Sequence, residues 1–201
     1  MHLLNRLKFK VSVIFNPFIL HETYYLFQRG VKSLSPFEIT PKIQSFNFYM
    51  IDCLEDIICL QKQSYIFGSE RDLKVIQNQI RKGGLLFCVF VKKQWAHQSW
   101  VMLNRDNFFD PFFRRSGYSD AGCIGPSKSN SDFRGFGLYP YVLNQICLYL
   151  NEIGFAKALI STSIDNHASV RGIEKAHFQR FSYGIRIKIG PINFWRQTRQ
   201  I

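Results

Sequence analysis

The residues best suited to chemistry lie in one run, Asp132-Phe133-Arg134-Gly135-Phe136-Gly137-Leu138-Tyr139-Pro140. Glycines let a backbone turn sharply and come close to a ligand, because no Cβ stands in the way. Beyond them the sequence turns helical, and a helix start offers unpaired N–H groups and the positive end of its dipole to an anion. Pro140 suits the first helical turn, where its missing donor costs nothing. With Arg134 adding a cation, the run reads as a phosphate-binding turn. An Arg-Gly-x-Gly run on its own is also what an ordinary helix start looks like.

A second stretch, Ile164-Asp165-Asn166-His167-Ala168-Ser169, puts Asn166 at the N-cap of a short helix. That role needs no ligand, though a capping side chain can also contact one. His97, between Trp95 and Trp100, is a candidate base or a packed histidine. Glu70 and Asp106 are further candidates for a base. Cys123 reads as structural, since nothing near it in sequence argues for a lowered thiol pKa. The histidines and cysteines do not fall at ligand spacing, so no metal site is expected.

The elements that must position these residues follow from periodicity. Strands are expected at Phe46–Ile51, Leu85–Val91, Ser99–Leu103, Ala121–Gly125, Ala158–Thr162 and Phe181–Ile189. Helices are expected at Leu54–Tyr65, Glu70–Arg81, Tyr139–Ile153 and Ala168–Ala176, the third with Val142, Leu143, Ile146 and Leu150 on one face and Gly154 as its stop. Between Asn104 and Asp120 the chain is irregular and aromatic. The alternation points to an α/β (α+β) fold, a mixed sheet with helices against it.

The order of loop, amphipathic helix, strand, Asn-x-x-Ser, short helix and Phe resembles the GNAT superfamily of acyl-CoA-dependent N-acetyltransferases. Arg134 and Gly137 fall on the first and fourth positions of that family's Arg/Gln-x-x-Gly-x-Gly/Ala loop, and Asn166, Ser169 and Phe178 match its later hallmark. The match is good from about Gly122 to Phe178. It implies a mostly antiparallel GNAT-like sheet flanked by helices, and acetyl-CoA as co-substrate, with no metal. Arg134, Gly135, Phe136, Gly137, Leu138 and Tyr139 would hold the CoA pyrophosphate. The strand near Ile124 would pair with the pantetheine arm, and Asn166 and Ser169 would fix it from the other side. The acceptor would be the amine of a small molecule, such as an amino sugar, in a pocket built by the first helices and the aromatic Asn104–Asp120 segment. Three residues depart from the pattern. Tyr139 stands where Gly or Ala is usual, and His177 where Gly is usual. Ile173 stands where many members carry a proton-donating Tyr, which leaves Tyr183 or water as donor, or a silent CoA-binding domain.

Composition sets the bounds. A 46% hydrophobic chain with 20 Phe and 9 Tyr can build a core. The net charge of +12 sits mostly at the ends: residues 171–201 hold seven Lys/Arg against one acid, and residues 1–45 hold six against two. A basic nucleic-acid-binding module is therefore an alternative, but no RNA or DNA motif is present, and no specific nucleic acid is expected. The expected division is an extension over 1–44, a GNAT-like domain over 45–190 and a basic tail over 191–201. Five cysteines without CxxC spacing point to a reduced, cytoplasmic setting. No run reaches the length of a transmembrane helix. A homodimer is compatible with the resemblance.

Overall fold

The computed structural model describes residues 19–32, 39–104, 110–114 and 118–200. Eight strands form one sheet: β1 (Ile19–Gly30), β2 (Asn47–Ile51), β3 (Leu85–Val91), β4 (Gln94–Met102), β5 (Ala121–Ser129), β6 (Lys157–Ser163), β7 (Gln179–Ile189) and β8 (Ile192–Gln200). Their order is β2-β3-β4-β5-β6-β1-β7-β8. The β5–β6 pair is parallel, and the other neighbours run antiparallel. Among the described residues, four α-helices flank the sheet: α1 (Leu54–Lys62), α2 (Glu70–Arg81), α3 (Leu138–Glu152) and α4 (His167–Lys175).

β3 shows how the layers are made. Successive side chains of a strand point to opposite faces. Phe87, Val89 and Val91 join Val142, Leu143, Ile146 and Leu150 of α3 and Ile173 of α4 in one core. Leu86, Cys88 and Phe90 join Ile57 and Leu60 of α1 and Ile76 and Ile80 of α2 in another. A strand buried on both sides reads as a continuous apolar run, as Leu85–Val91 does. Farther along the α1/α2 face, the turn at Pro111–Phe113 sinks Phe112 and Phe113 into a third cluster against Leu26, Cys123 and Leu159.

Two stretches depart from the expected division. Ile19–Gly30, assigned by sequence to an extension, is an inner strand paired with β6 on one side and β7 on the other. The buried Arg29 ties it to the helical layer, its Nη1 donating to Asn144 Oδ1 at 3.0 Å and to the Ala176 carbonyl at 2.8 Å. The expected basic tail forms β8, which pairs with β7 through a turn at Gly190-Pro191. Among the described residues, no helix is long and apolar enough to cross a membrane.

Candidate functional site

The parallel pair β5–β6 holds register only from Ala121↔Lys157 to Ile124↔Ile160. Past Gly125 the two strands part: β5 continues beside β4 through Ser127↔Ser99 and Ser129↔His97, and β6 continues beside β1. The result is a fork in the sheet, with one edge of β5 released from β6. Beside it lies a cleft of about 770 Å³, lined by Ser127 and Ser129 of β5, the loop leading into α3, and the first turns of α4.

The loop has the geometry of an anion cradle. Gly135 and Gly137 sit at φ +81° and +80°, a left-handed conformation that disfavours a side chain. Gly137 is the N-cap of α3, and no side chain caps that helix. Its first-turn N–H groups and dipole are thus available to a ligand. Residues 39–42, ahead of β2, cross this loop: the Lys42 N–H donates to the Phe136 carbonyl at 2.8 Å, and Ile39, Thr40 and Lys42 form one wall of the cleft. Lys42, Arg134, Arg171 and Lys175 all line it and are exposed, and among the described residues no Asp or Glu does. Among the described residues, none of these four cations is in an ion pair. Sequence reasoning named Arg134 alone as a phosphate-binding cation. The shared clue to Arg171 and Lys175 is their spacing on one short helix after Asn166; Lys42 had no local signal.

Of the residues expected to hold CoA, Arg134, Gly135, Gly137, Leu138, Tyr139, Asn166 and Ser169 meet at this cleft. Asn166 is the N-cap of α4, its Oδ1 accepting from the Ser169 N–H at 3.1 Å. Phe136 is exposed and outside the lining, its carbonyl accepting from the Lys42 N–H. Ile124 is buried at the vertex of the fork, with its backbone in register with Ile160 and Val101. The strand edge free to take an extended ligand lies just beyond it, at Gly125–Ser129.

A chain of hydroxyls runs along the cleft wall. Ser129 Oγ lies 2.7 Å from His97 Nδ1, His97 Nε2 3.0 Å from Ser99 Oγ, and Ser99 Oγ 2.8 Å from Ser127 Oγ. Tyr139 lies beside it, its ring 5.3 Å from that of His97 and its hydroxyl 3.3 Å from Ser169 Oγ. Burial pushes His97 down to about 3 and Tyr139 up to about 12, so both are neutral near pH 7. His97 therefore serves as a hydrogen-bonded link and is a poor base. Tyr183, the other expected catalytic residue, is on β7 against Tyr25, outside the cleft. Ile173 is fully buried in the core between α4 and α3.

The opposite face of the fork holds a group that the sequence did not single out. Asp110 bonds to Ser161 of β6, just past the point where the strands part, and accepts from the Phe112 N–H at 2.9 Å. Burial raises its carboxyl above the usual range. Of the aromatic segment expected to line an acceptor pocket, Phe112 and Phe113 are buried in the core; Asp106 lies outside the described residues. Glu70 starts α2 and is absent from the cleft lining. Cys123 is fully buried and its thiol held protonated, as a structural cysteine would be. Asp52, Cys53 and Asp56 bring ligand-type atoms within 4.8 Å of one another at the start of α1, outside the cleft, where acids favour the helix dipole.

No protein-family model matches the sequence, and no curated protein does. Solved structures do match in shape. An acetyltransferase of the GNAT family from Colwellia psychrerythraea aligns at a TM-score of 0.54 and 16% identity, over 85% of this chain and 57% of that one. A GCN5-related N-acetyltransferase from Sphaerobacter thermophilus gives 0.54 and 11%, over 89% and 52%. A GNAT-family acetyltransferase, assigned as such from Novosphingobium aromaticivorans, gives 0.54 and 9%, over 87% and 68%. The chain thus spans little more than half of the first two. With its forked mixed sheet, its glycine loop into α3 and its capped α4, the chain has the fold of the GNAT acetyltransferases.

Proposed function

We propose that the chain binds an acyl-CoA in this cleft and transfers the acyl group to the amine of a small molecule, an amino sugar being one such acceptor. One observation carries the reading: four exposed cations and an uncapped helix N-terminus converge on a cleft that, among the described residues, no acid lines. CoA is rich in phosphate, and such a surface suits it. The Arg134–Tyr139 loop would hold the pyrophosphate, with Arg171, Lys175 and Lys42 on the remaining charge. The amides of the pantetheine arm would pair with the released edge of β5 as an added strand does. The bound thioester supplies an activated carbonyl.

Amine attack forms the C–N bond and breaks the C–S bond; the amine must lose a proton and the sulfur must gain one. Asp110, on the other face of the fork with its carboxyl raised, is the group we assign to the first task. The protein's reading as an enzyme is tested by thiol release from acetyl-CoA against a panel of amines and amino sugars. Release that depends on both amine and Asp110 supports it. Acetyl-CoA binding without release under any amine supports a second reading, a silent CoA-binding domain. That reading is favoured by the burial of Ile173 where a proton-donating Tyr is usual, and by the distance of Tyr183 from the cleft.

A further inference from the structure

His97 and Ser99 alternate along β4, and across the ladder they stand opposite Ser129 and Ser127 of β5. Lys128, between the two serines, points to the other face of the sheet and pairs there with Asp72 of α2 at 3.1 Å. The four polar side chains therefore share the cleft face. His97 and Ser99 are 1% and 0% exposed, whereas Ser127 and Ser129 are half-buried and line the cleft.

Their links run Ser129–His97–Ser99–Ser127, at 2.7, 3.0 and 2.8 Å. Burial keeps the ring neutral near pH 7. A neutral imidazole has one N–H and one lone pair to offer, and each serine hydroxyl has one hydrogen to give. These counts fix the direction of every link. With the proton on Nδ1, His97 donates to Ser129, Ser99 donates to Nε2, and Ser127 donates to Ser99. Ser129 then keeps its hydrogen for the cleft, and Ser127 keeps only lone pairs. With the proton on Nε2 every link reverses, and the two serines exchange roles. Either tautomer leaves one donating end and one accepting end. Two donating ends would need an imidazolium.

A phosphate oxygen only accepts, so it can use one end alone. An amide can use both. Residues two apart on a strand are separated by about 6.8 Å. The O and N of an amide, about 2.3 Å apart, reach about 7–8 Å with a hydrogen bond of about 2.9 Å at each end. We infer that Ser127 and Ser129 are the two ends of a directional hydrogen-bond chain that recognises a neutral donor–acceptor group, an amide of the acyl-CoA arm, while the phosphates fall to the cations. His97 and Ser99 act through the serines and are positioning residues. This rests on the acyl-CoA reading above and adds a side-chain contact to the backbone pairing along β5.

The test titrates the full chain, ¹⁵N-labelled at histidine, with acetyl-CoA and with its arm-free half, 3′-phospho-ADP, by NMR and by calorimetry. In the acetyl-CoA complex His97 should show one bare and one protonated ring nitrogen, and only this probe should move the ring signals. In the double variant Ser127→Ala/Ser129→Ala, acetyl-CoA should bind at least about tenfold more weakly, the weight of two neutral hydrogen bonds. The affinity for 3′-phospho-ADP should stay within about twofold. Ser129→Ala alone cuts one end and should lose about fivefold for acetyl-CoA; it serves if the double variant does not fold. Two protonated ring nitrogens, or ring signals moved alike by both probes, would overturn the directional chain. Unchanged acetyl-CoA affinity in the variants would overturn it and leave the acyl-CoA reading standing. Equal losses for the two probes would put the serines on the phosphates and overturn it as well. Binding of neither probe by the wild type would overturn both readings.

Discussion

Gly172 and Tyr139 are a matched pair: the ring of one fills the place a side chain on the other would need, with 2.4 Å between the added Cβ and Tyr139 Cδ1. The contact joins the first turn of α3 to the middle of α4, and so sets the distance between the two helix starts that border the cleft. Gly172→Ala should destabilise the fold by about 1–3 kcal/mol, the usual cost of overpacking. The same change in a Tyr139→Ala background should cost far less, because the clashing ring is gone. A double-mutant cycle in urea measures the coupling; additive effects would show that the ring and the glycine do not depend on each other.

Arg29 tests whether β1 belongs to the body of the fold. Its Nη1 donates to Asn144 of α3 and to the last carbonyl region of α4 at Ala176, from a buried position. Arg29→Ala removes two charge-assisted hydrogen bonds and leaves the Ala176 carbonyl without this donor. A loss of about 2–4 kcal/mol in unfolding free energy is expected. A loss under about half a kcal/mol, the size of an ordinary surface change, would return residues 19–30 to the status of an appendage.

His97 should make the acid limb of stability steep. Its folded pKa of about 3 lies below the ordinary 6.5, so the unfolded chain binds more protons between these values. Stability is therefore present above about pH 6.5 and is lost as pH falls toward 3, by about 2–3 kcal/mol between pH 6.5 and 4.5. Urea midpoints across that range should fall less in His97→Gln than in the wild type. Parallel curves for the two proteins would mean that His97 is protonated in the fold.

Asp110 should govern the acid side of catalysis. Its carboxyl is raised by burial, so kcat/KM should rise with pH through a value above the ordinary carboxylate range and then level. Asp110→Asn keeps an acceptor for the Phe112 N–H, so the turn at Pro111–Phe113 should survive. The variant should lose that limb and at least about tenfold in kcat/KM, within the range of general-base effects. An unchanged pH profile would assign the proton transfer elsewhere.

What could be read locally in the sequence was read well. Glu70–Arg81 has the expected bounds because Ser69 and Asp72 close a capping box at its start, a signal contained within four residues. Leu85–Val91 has them because burial on both faces leaves an unbroken apolar run. β1 was not legible, since its partners β6 and β7 lie more than a hundred residues away and its own pattern mixes His21, Glu22 and Arg29 with aromatics. β5 was cut short at Gly125, because Ser127, Lys128 and Ser129 are polar where the strand borders the cleft rather than the core. The loop and Asn166 were legible as motifs. Lys42, Asp110 and the packing of Tyr139 on Gly172 were not, because each takes its meaning from elements far along the chain.

The central claim is that the cleft recognises the phosphates of an acyl-CoA, and one titration tests it most directly. Acetyl-CoA should bind the wild-type chain with measurable heat, and Arg134→Ala should bind it at least about tenfold more weakly, the weight of one charge-assisted hydrogen bond. Both affinities should fall as salt is raised, since exposed cations make the contacts. No binding by the wild type, or equal affinity in the two proteins at low and high salt, would contradict the account.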